Sequence, residues 1–327
     1  MRNQSSSRFS WPFALSALSK VRVDTVFCLL ILCGGLIMVG IDRVDQAWTL
    51  WLQQHKWSYL TDTMGQTLFE GERFGGGDPS TLFLIVVFCC YLLSIFMGNC
   101  KRLVRCRPQV GFILIAAFWS CLCIVHTLKW LVGRARPLLI YDGLPYSHWY
   151  EFGPHFITQG VYNGSFPSGH TALAFIFMAL AYVLAGDERH SKRTRISGVF
   201  VGLFTIFNAL LMGVARTMSV SHWVSDICAS ILFSWVTIHM LYYHILRIPN
   251  LTQSNSHTDA PPFWELKLCF YQLLVVLGFL AFMIGIRAII EQDGMFLMAM
   301  IPPGIFIFKV FWKHSMSVYS RGTGGFK

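Results

Sequence analysis

Residues Val110 to Val132 read VGFILIAAFWSCLCIVHTLKWLV, a run of twenty-three positions in which only Lys129 carries a fixed charge. The hydrocarbon core of a bilayer is about 30 Å thick and takes roughly 17–25 predominantly apolar residues of helix. The run therefore predicts a membrane span, and it has seven companions. They are Val26–Ile41, Thr81–Gly98, Gly169–Ala185, Ile196–Ala215, Ile227–Leu246, Leu268–Ile290 and Met295–Trp312. The fold class this implies is all-α, a polytopic membrane helical bundle. The first block is short, but no small-residue cleavage site follows it, so it is expected to stay as an anchor. The last contains Ile301-Pro302-Pro303-Gly304, which predicts a break, a kink or a re-entrant turn.

Composition agrees with this assignment. Of 327 residues, 54% are apolar and 13% charged, whereas a soluble domain carries about a quarter charged residues. So few charges cannot cover a water-soluble globule, and so much hydrophobicity excludes a disordered chain. The ten Cys fall inside spans (Cys28, Cys33, Cys89, Cys90, Cys121, Cys123, Cys228) or at the ends that carry the Lys/Arg clusters (Cys100, Cys106, Cys269). That distribution predicts small packing residues and neither a disulfide framework nor a zinc site.

Basic residues in short loops set orientation. Arg2, Arg8, Lys20 and Arg22 precede the first span, and Lys101, Arg102, Arg105 and Arg107 lie between the second and third. Arg189, Lys192, Arg193 and Arg195 follow the fourth, Arg247 and Lys267 the sixth, and Lys313, Arg321 and Lys327 the eighth. All of these seventeen fall on one side, expected to be cytoplasmic, against Arg43, Lys56 and Arg73 in the first loop opposite. The net charge of +10 thus predicts topology and attraction to an anionic inner leaflet, with no nucleic-acid partner. The chain divides into a cytoplasmic N-terminal segment (1–25), a six-helix core (26–246), a cytoplasmic linker with Pro261-Pro262 (247–267), two further spans (268–312) and a tail (313–327). In the first segment, Trp11 to Leu18 forms a short apolar patch expected to lie in the interface.

The first outer loop shows helical stripes, Val44/Trp48/Trp51/Leu52 and Leu60/Met64/Leu68. Trp at that depth suits the headgroup region, so the loop is expected to be an interfacial brace, with a lipid-facing lid as the alternative. The second outer segment, Gly133 to Phe166, is rich in Gly, Pro, Tyr and His. Its aromatic part from Tyr141 is expected to shape substrate selection.

Three clusters place ionisable groups at the outer ends of spans, where such residues are costly and a functional role is the default. Lys129 and Arg136 lie seven residues apart, near two helical turns, and face one point if the helix continues through Arg134. Ser168-Gly169-His170 opens the fourth span: Ser168 suits an N-cap, Gly169 admits a ligand close to the backbone, and free N–H groups point outward at an anion. Arg216 ends the fifth span, and His222 and Asp226 stand at i and i+4 where the sixth begins. A carboxylate beside an imidazole orients the ring and stabilises its cation, which frees the other nitrogen as nucleophile or base. Each cluster alone also reads blandly, as snorkelling cations, a capped helix start and a structural ion pair. Together they suit a phosphoryl group, with cations and N–H donors for its oxygens, one His to attack phosphorus and one to protonate the leaving oxygen. No acidic cluster has the spacing of a two-metal site, so the site is expected to be metal-free and to need no cofactor.

Lys129-x6-Arg136-Pro137, Pro167-Ser168-Gly169-His170 and Arg216-x5-His222-x3-Asp226, in that order, resemble the three-part signature of the type 2 phosphatidic acid phosphatase superfamily. The resemblance covers about Val26 to Leu246. It implies that His222 forms a phosphohistidine with support from Asp226, and that His170 is the general acid. It also implies that Lys129, Arg136, Ser168, Gly169 and Arg216 bind phosphate, with Arg134 as a helper. The family often has Ser where this chain has Ala215, which implies loss of a minor phosphate hydrogen bond. Arg287, outside the resemblance, sits near the outer end of the seventh span, where snorkelling or contact with a lipid headgroup is expected.

The implied function is a membrane phosphatase acting on a lipid phosphate or diphosphate at the periplasmic face of a bacterial inner membrane, with the lipid and the bilayer as its partners. The alternatives are a phosphotransferase or phosphatase acting on lipid A, and a transporter that keeps a phosphate pocket without turnover. Soluble haloperoxidases of the same family are excluded by eight apolar spans.

Overall fold

The computed structural model describes residues 12–97, 100–141, 143–155, 164–252, 260–292 and 294–323. Arg2 and Arg8, linker residues 253–259, part of the second outer segment (156–163), Lys327 and the side chains of the Trp11–Leu18 patch lie outside the described residues. The described residues are helical, with no strand among them. Six helical segments are long and apolar enough to cross a membrane: Asp78–Phe96, Arg102–Ile140, Lys192–Met218, Val224–Ile245, Trp264–Glu291 and Met295–Gly322. Gly169–Ala185 is apolar but shorter.

The first predicted span, Val26–Ile41, is part of a single 43-residue helix α1, Pro12–Gln54. The boundary expected after residue 25 is not a break in the helix, and neither is the start of the first outer loop. Nothing in between stops a helix: there is no Pro, and Asp42-Arg43 changes polarity without ending the backbone hydrogen bonding. The predicted stripe Val44/Trp48/Trp51 has the right period but the opposite face. Those side chains are exposed, while Met38, Asp42, Asp45 and Thr49 are buried. A membrane protein turns its apolar side outward and satisfies polar groups inside, which reverses the amphipathic logic of a soluble helix.

After the short α2 (Ser58–Met64) and a rim loop comes α3, Asp78–Phe96. α4 (Lys101–Ala117) runs through a π-helical stretch, Phe118–Ile124, into α5 (Val125–Val132). α6 (Pro137–Tyr141) is a single turn beyond it. α7 (Gly169–Ala174) leads into α8 (Phe177–Ala185), followed by α9 (Lys192–Met218) and α10 (Val224–His239), which continues as a π-helical stretch to Ile245. The centre of the bundle is filled by Phe112 of α4, Phe175 and Ile176 at the α7–α8 joint, Met212 of α9 and Ile238 of α10. α1 packs along α10 and α9.

A short α11 (Ile248–Leu251) precedes the last two helices, α12 (Trp264–Glu291) and α13 (Ile301–Gly322), which form a hairpin. Pro302-Pro303 does not kink α13. It occupies the first turn, where a missing N–H costs nothing, after a 3-10 stretch at Met295–Met300. The two backbones approach so closely that a Cβ on Gly278 would stand 2.7 Å from the backbone nitrogen of Phe308, and one on Gly304 2.6 Å from that of Phe282. Lipid gives helices no hydrophobic reason to associate, so small residues that allow close packing do that work.

Polar staples fix α12 to the core at both ends. At one end Glu265 accepts from Tyr91 Oη of α3 (2.7 Å) and pairs with Arg107 of α4 (3.4 Å). At the other, Arg287 donates to the carbonyls of Leu131 and Gly153 (2.7 Å each) and pairs with Glu291 (3.1 Å). Arg287 is thus neither snorkelling nor a free headgroup ligand. It is buried, and it caps the end of α5 just before the first motif turns away.

Candidate active site

The three motif clusters meet at one end of the bundle. α5 stops because Gly133 adopts a left-handed conformation (φ 60°), with its N–H returning to Lys129 O at 3.1 Å. A Cβ there would collide with the carbonyl of His155 at 1.8 Å. The helix expected to carry Lys129 and Arg136 on one face does not continue between them. Lys129 is buried in the last turn of α5 and donates from Nζ to Gly164 O at 2.7 Å. Arg136 stands beyond the turn, immediately before α6. The turn nevertheless brings the two cations and Arg216 within electrostatic reach of one another.

Ser168 caps α7, its Oγ accepting from Thr171 N (3.4 Å) and from Thr171 Oγ1 (3.0 Å). The fold does not require glycine at 169, where a Cβ would make one ordinary contact, 3.5 Å from Val125. His170, in the first turn, places Nε2 3.2 Å from Glu70 Oε2. Arg216, in the last turn of α9, donates to Gly65 O at 2.9 Å and lies 3.8 Å from the same Glu70 oxygen.

His222 does not open α10 as the i, i+4 spacing suggests. It sits in the loop before the cap residue Trp223, and Asp226 is at the third helical position, where it accepts from Trp223 N at 2.9 Å. The His222 ring is buried, and its Nδ1 lies 2.8 Å from Ser165 O but 3.6 Å from Asp226 Oδ2. A carbonyl can only accept, so Nδ1 carries the proton and Nε2 the lone pair. Burial pushes the imidazole down to about 3, while the Asp226 carboxylate works in the other direction. The ring is therefore neutral at ordinary pH.

Asp226 has a closer partner than His222. Arg134 Nη1 donates to Asp226 Oδ1 at 2.8 Å, and Ser165 Oγ donates to Oδ2. Arg134 is fully buried and also binds Asp45 Oδ2 (2.9 Å), Ser225 Oγ (2.7 Å), Tyr146 Oη (2.9 Å) and Ser147 O (2.8 Å). The rings of Tyr146 and Trp223 stack near its guanidinium, 5.3 and 5.4 Å from their centroids. Every direction of the guanidinium is taken, so Arg134 is not available to a phosphate. It is the central cation of a buried Asp45–Arg134–Asp226 chain that ends at His222.

The structure thus brings together Lys129, Arg136, Ser168, Gly169, His170, Arg216, His222 and Asp226, and it adds Asp45, Ser165 and Glu70. Asp45 had a detectable signal: Asp42, Asp45 and Thr49 repeat at helical spacing in an otherwise apolar helix, which marks an inward polar face. Glu70 and Ser165 had none, because each reaches the site from a loop whose path only the fold defines. Among the described residues, no group of three or more His, Cys, Asp or Glu is placed to hold a metal ion.

No curated protein and no solved structure matched the chain. Residues 110–248 match the family model described as the PAP2 superfamily. That region starts later than the resemblance suggested: it contains all three motifs and leaves out α1, the rim loop and α3 as well as the α12–α13 hairpin. Residues 110–248 are thus similar to the PAP2 superfamily, and they sit among six helices long and apolar enough to cross a bilayer, which together support a membrane phosphatase in general.

Proposed function

We propose that the chain hydrolyses a lipid phosphate or diphosphate through a phosphohistidine on His222, without a metal. The observation that carries this is the state of His222, a neutral ring held through Nδ1 by a backbone carbonyl so that Nε2 is a pre-aimed nucleophile. Lys129, Arg136 and Arg216 supply the charge that a phosphoryl transition state develops against, and Ser168 with the open backbone at Gly169 lets a phosphate oxygen come close. The three cations of the lining favour an anion and oppose a divalent metal.

In the first step Nε2 of His222 attacks phosphorus while the bond to the leaving oxygen breaks, and His170 gives that oxygen its proton. In the second, water attacks phosphorus, His170 takes the water's proton, and the P–N bond breaks to release phosphate. Asp226 stabilises the imidazole as it acquires positive charge, and Arg134 holds that carboxylate in place. The excess of Lys and Arg in the loops at the opposite end supports an outward-facing site, periplasmic in a bacterial inner membrane, and a substrate drawn from the outer leaflet.

The test is to incubate the purified protein with a panel of radiolabelled lipid phosphates and diphosphates, and to measure released phosphate and acid-labile, base-stable label on the protein. Wild type should release phosphate and carry the label in the presence of EDTA, and His222→Ala should do neither. Label passing to a second lipid instead of to water would make the protein a phosphotransferase. Absence of turnover and of label across the panel would leave a binding protein or transporter.

A further inference from the structure

The rim loop between α2 and α3 is built to hold one carboxylate over the cations. Asp78, at the start of α3, accepts from Gly75 N (2.7 Å) and from Leu68 N (3.1 Å), and so ties both ends of the loop to a helix. Thr67 Oγ1 accepts from Glu70 N (3.3 Å), Gly71 closes the turn with φ 79°, and Gly76 N reaches Thr63 O (2.8 Å). Arg216 adds its bond to Gly65 O. The Glu70 carboxylate that results is 3.2 Å from His170 Nε2 and 3.8 Å from Arg216 Nη1. The hydrogen bond to His170 holds its carboxyl below the usual carboxylate range, so it is ionised at neutral pH. Glu72, two residues on, also lies within electrostatic reach of Arg216.

In the mechanism above His170 is the group that faces the leaving oxygen, and Glu70 stands against its ring at Nε2. Glu70 therefore marks the leaving-group side of the site, and that side is acidic while the phosphoryl side is cationic. We propose that Glu70 is a specificity-determining residue that selects phosphomonoesters, whose leaving group is an uncharged alcohol, over diphosphates, whose leaving group carries a second phosphate beside this carboxylate. The inference rests on the assignment of His170 as the group facing the leaving oxygen. Repulsion between Glu70 and the phosphoryl group under attack is common to both substrates and cancels in their ratio. Repulsion of the second phosphate is not shared, and two like charges at contact range in a partly buried site cost enough to change partner choice.

The experiment compares farnesyl phosphate with farnesyl diphosphate, which share a tail and differ by one phosphate, using the full-length protein in detergent. Glu70→Gln keeps the side-chain shape and still accepts a hydrogen bond from His170. Glu151→Gln removes the same charge from the exposed second outer loop and serves as control. In wild type kcat/KM should favour the monophosphate. In Glu70→Gln the ratio should shift toward the diphosphate by at least about tenfold, and in Glu151→Gln it should not move. A parallel calorimetric titration with inorganic phosphate and pyrophosphate should show pyrophosphate gaining affinity relative to phosphate in Glu70→Gln. An unchanged ratio in both measurements, or a wild-type preference for the diphosphate, overturns the assignment. If wild type turns over neither prenyl substrate, the lipid panel above decides the phosphatase mechanism, and the phosphate–pyrophosphate titration still decides the role of Glu70.

Discussion

Arg134 and Arg287 are both almost wholly buried, at 0% and 1% exposure, the first within the first motif and the second packed against the end of the helix that carries it. Arg134 lies inside the family region and is surrounded by two carboxylates, two hydroxyls and a carbonyl. Arg287 lies on the added hairpin and spends its hydrogen bonds on the carbonyls of Leu131 and Gly153, with one ion pair to its own helix. The first arrangement balances charge against charge next to a nucleophile. The second caps exposed backbone and holds one helix against another. Burial alone therefore does not separate a chemical role from a structural one; the identity of the partners does. The hairpin repeats the lesson at its far end, where Glu265 staples α12 to α3 and α4 far from any motif.

The comparison breaks most sharply at the nucleophile. His222→Ala should lower phosphate release by about 10³-fold or more, since a residue that forms the covalent intermediate has no substitute. Asp226→Asn should cost less than removal of the nucleophile, although its single amide oxygen can keep the bonds from Trp223 N and Ser165 only by giving up the one from Arg134. A His222→Ala protein with full activity would reduce the whole motif end to a structural network like the hairpin's.

The two arginines provide the next test, in thermal unfolding of the detergent-solubilised protein. Arg134→Met leaves Asp45 and Asp226 buried without a counter-charge and should cost about 3–5 kcal/mol, with activity lost as well. Arg287→Met leaves two carbonyls without a donor and should cost about 1–3 kcal/mol, with part of the activity kept. Equal losses in stability and in kcat would erase the distinction between them.

Acid should also act on the two regions differently. His222 is held neutral in the folded protein down to about 3, whereas an ordinary imidazole takes up its proton near 6.5. Above that ordinary value neither state is protonated and the shift contributes nothing. As pH falls from about 6.5 toward 3, the unfolded chain binds the proton and the folded one does not, so stability declines across that window. Glu70, whose folded carboxyl is depressed, adds a loss of the same sign as pH falls below its ordinary value of 4.5. His222→Asn should therefore flatten the acid side of a melting-temperature profile between about pH 6 and 4, and Arg287→Met should not change its slope.

The smallest effect is expected at the far staple. Glu265→Gln still accepts from Tyr91 and loses the ion pair to Arg107, so it should cost about 1–2 kcal/mol and leave kcat unchanged. A large fall in kcat would show that the hairpin communicates with the site.

Much of this was legible in the chain itself, for identifiable reasons. Spans depend on apolar length, and the cap at Ser168 depends on local backbone chemistry, so both could be read residue by residue. The helix periods were legible too, but the face that α1 turns inward was not, because a polar face is buried in this bundle and the apolar one is not. Arg134 looked like one more phosphate ligand in a basic run. Only its enclosure by Asp45 from α1 and Asp226 from α10 gives it a different task. Arg287 looked like a snorkelling end residue until α12 was packed against the end of α5.

The sequence by itself determined an all-helical membrane chain and the three motifs with their spacing, since these follow from apolar length, local capping and the residue types that phosphoryl chemistry needs. The tertiary structure alone decided that a left-handed Gly133 turns Arg136 back toward Lys129, that a backbone carbonyl takes the proton side of His222, and that Glu70 crosses from a distant loop to stand beside His170. The last two contacts join residues 57 and 100 positions apart, and no pattern along the chain encodes which loop closes over which helix end.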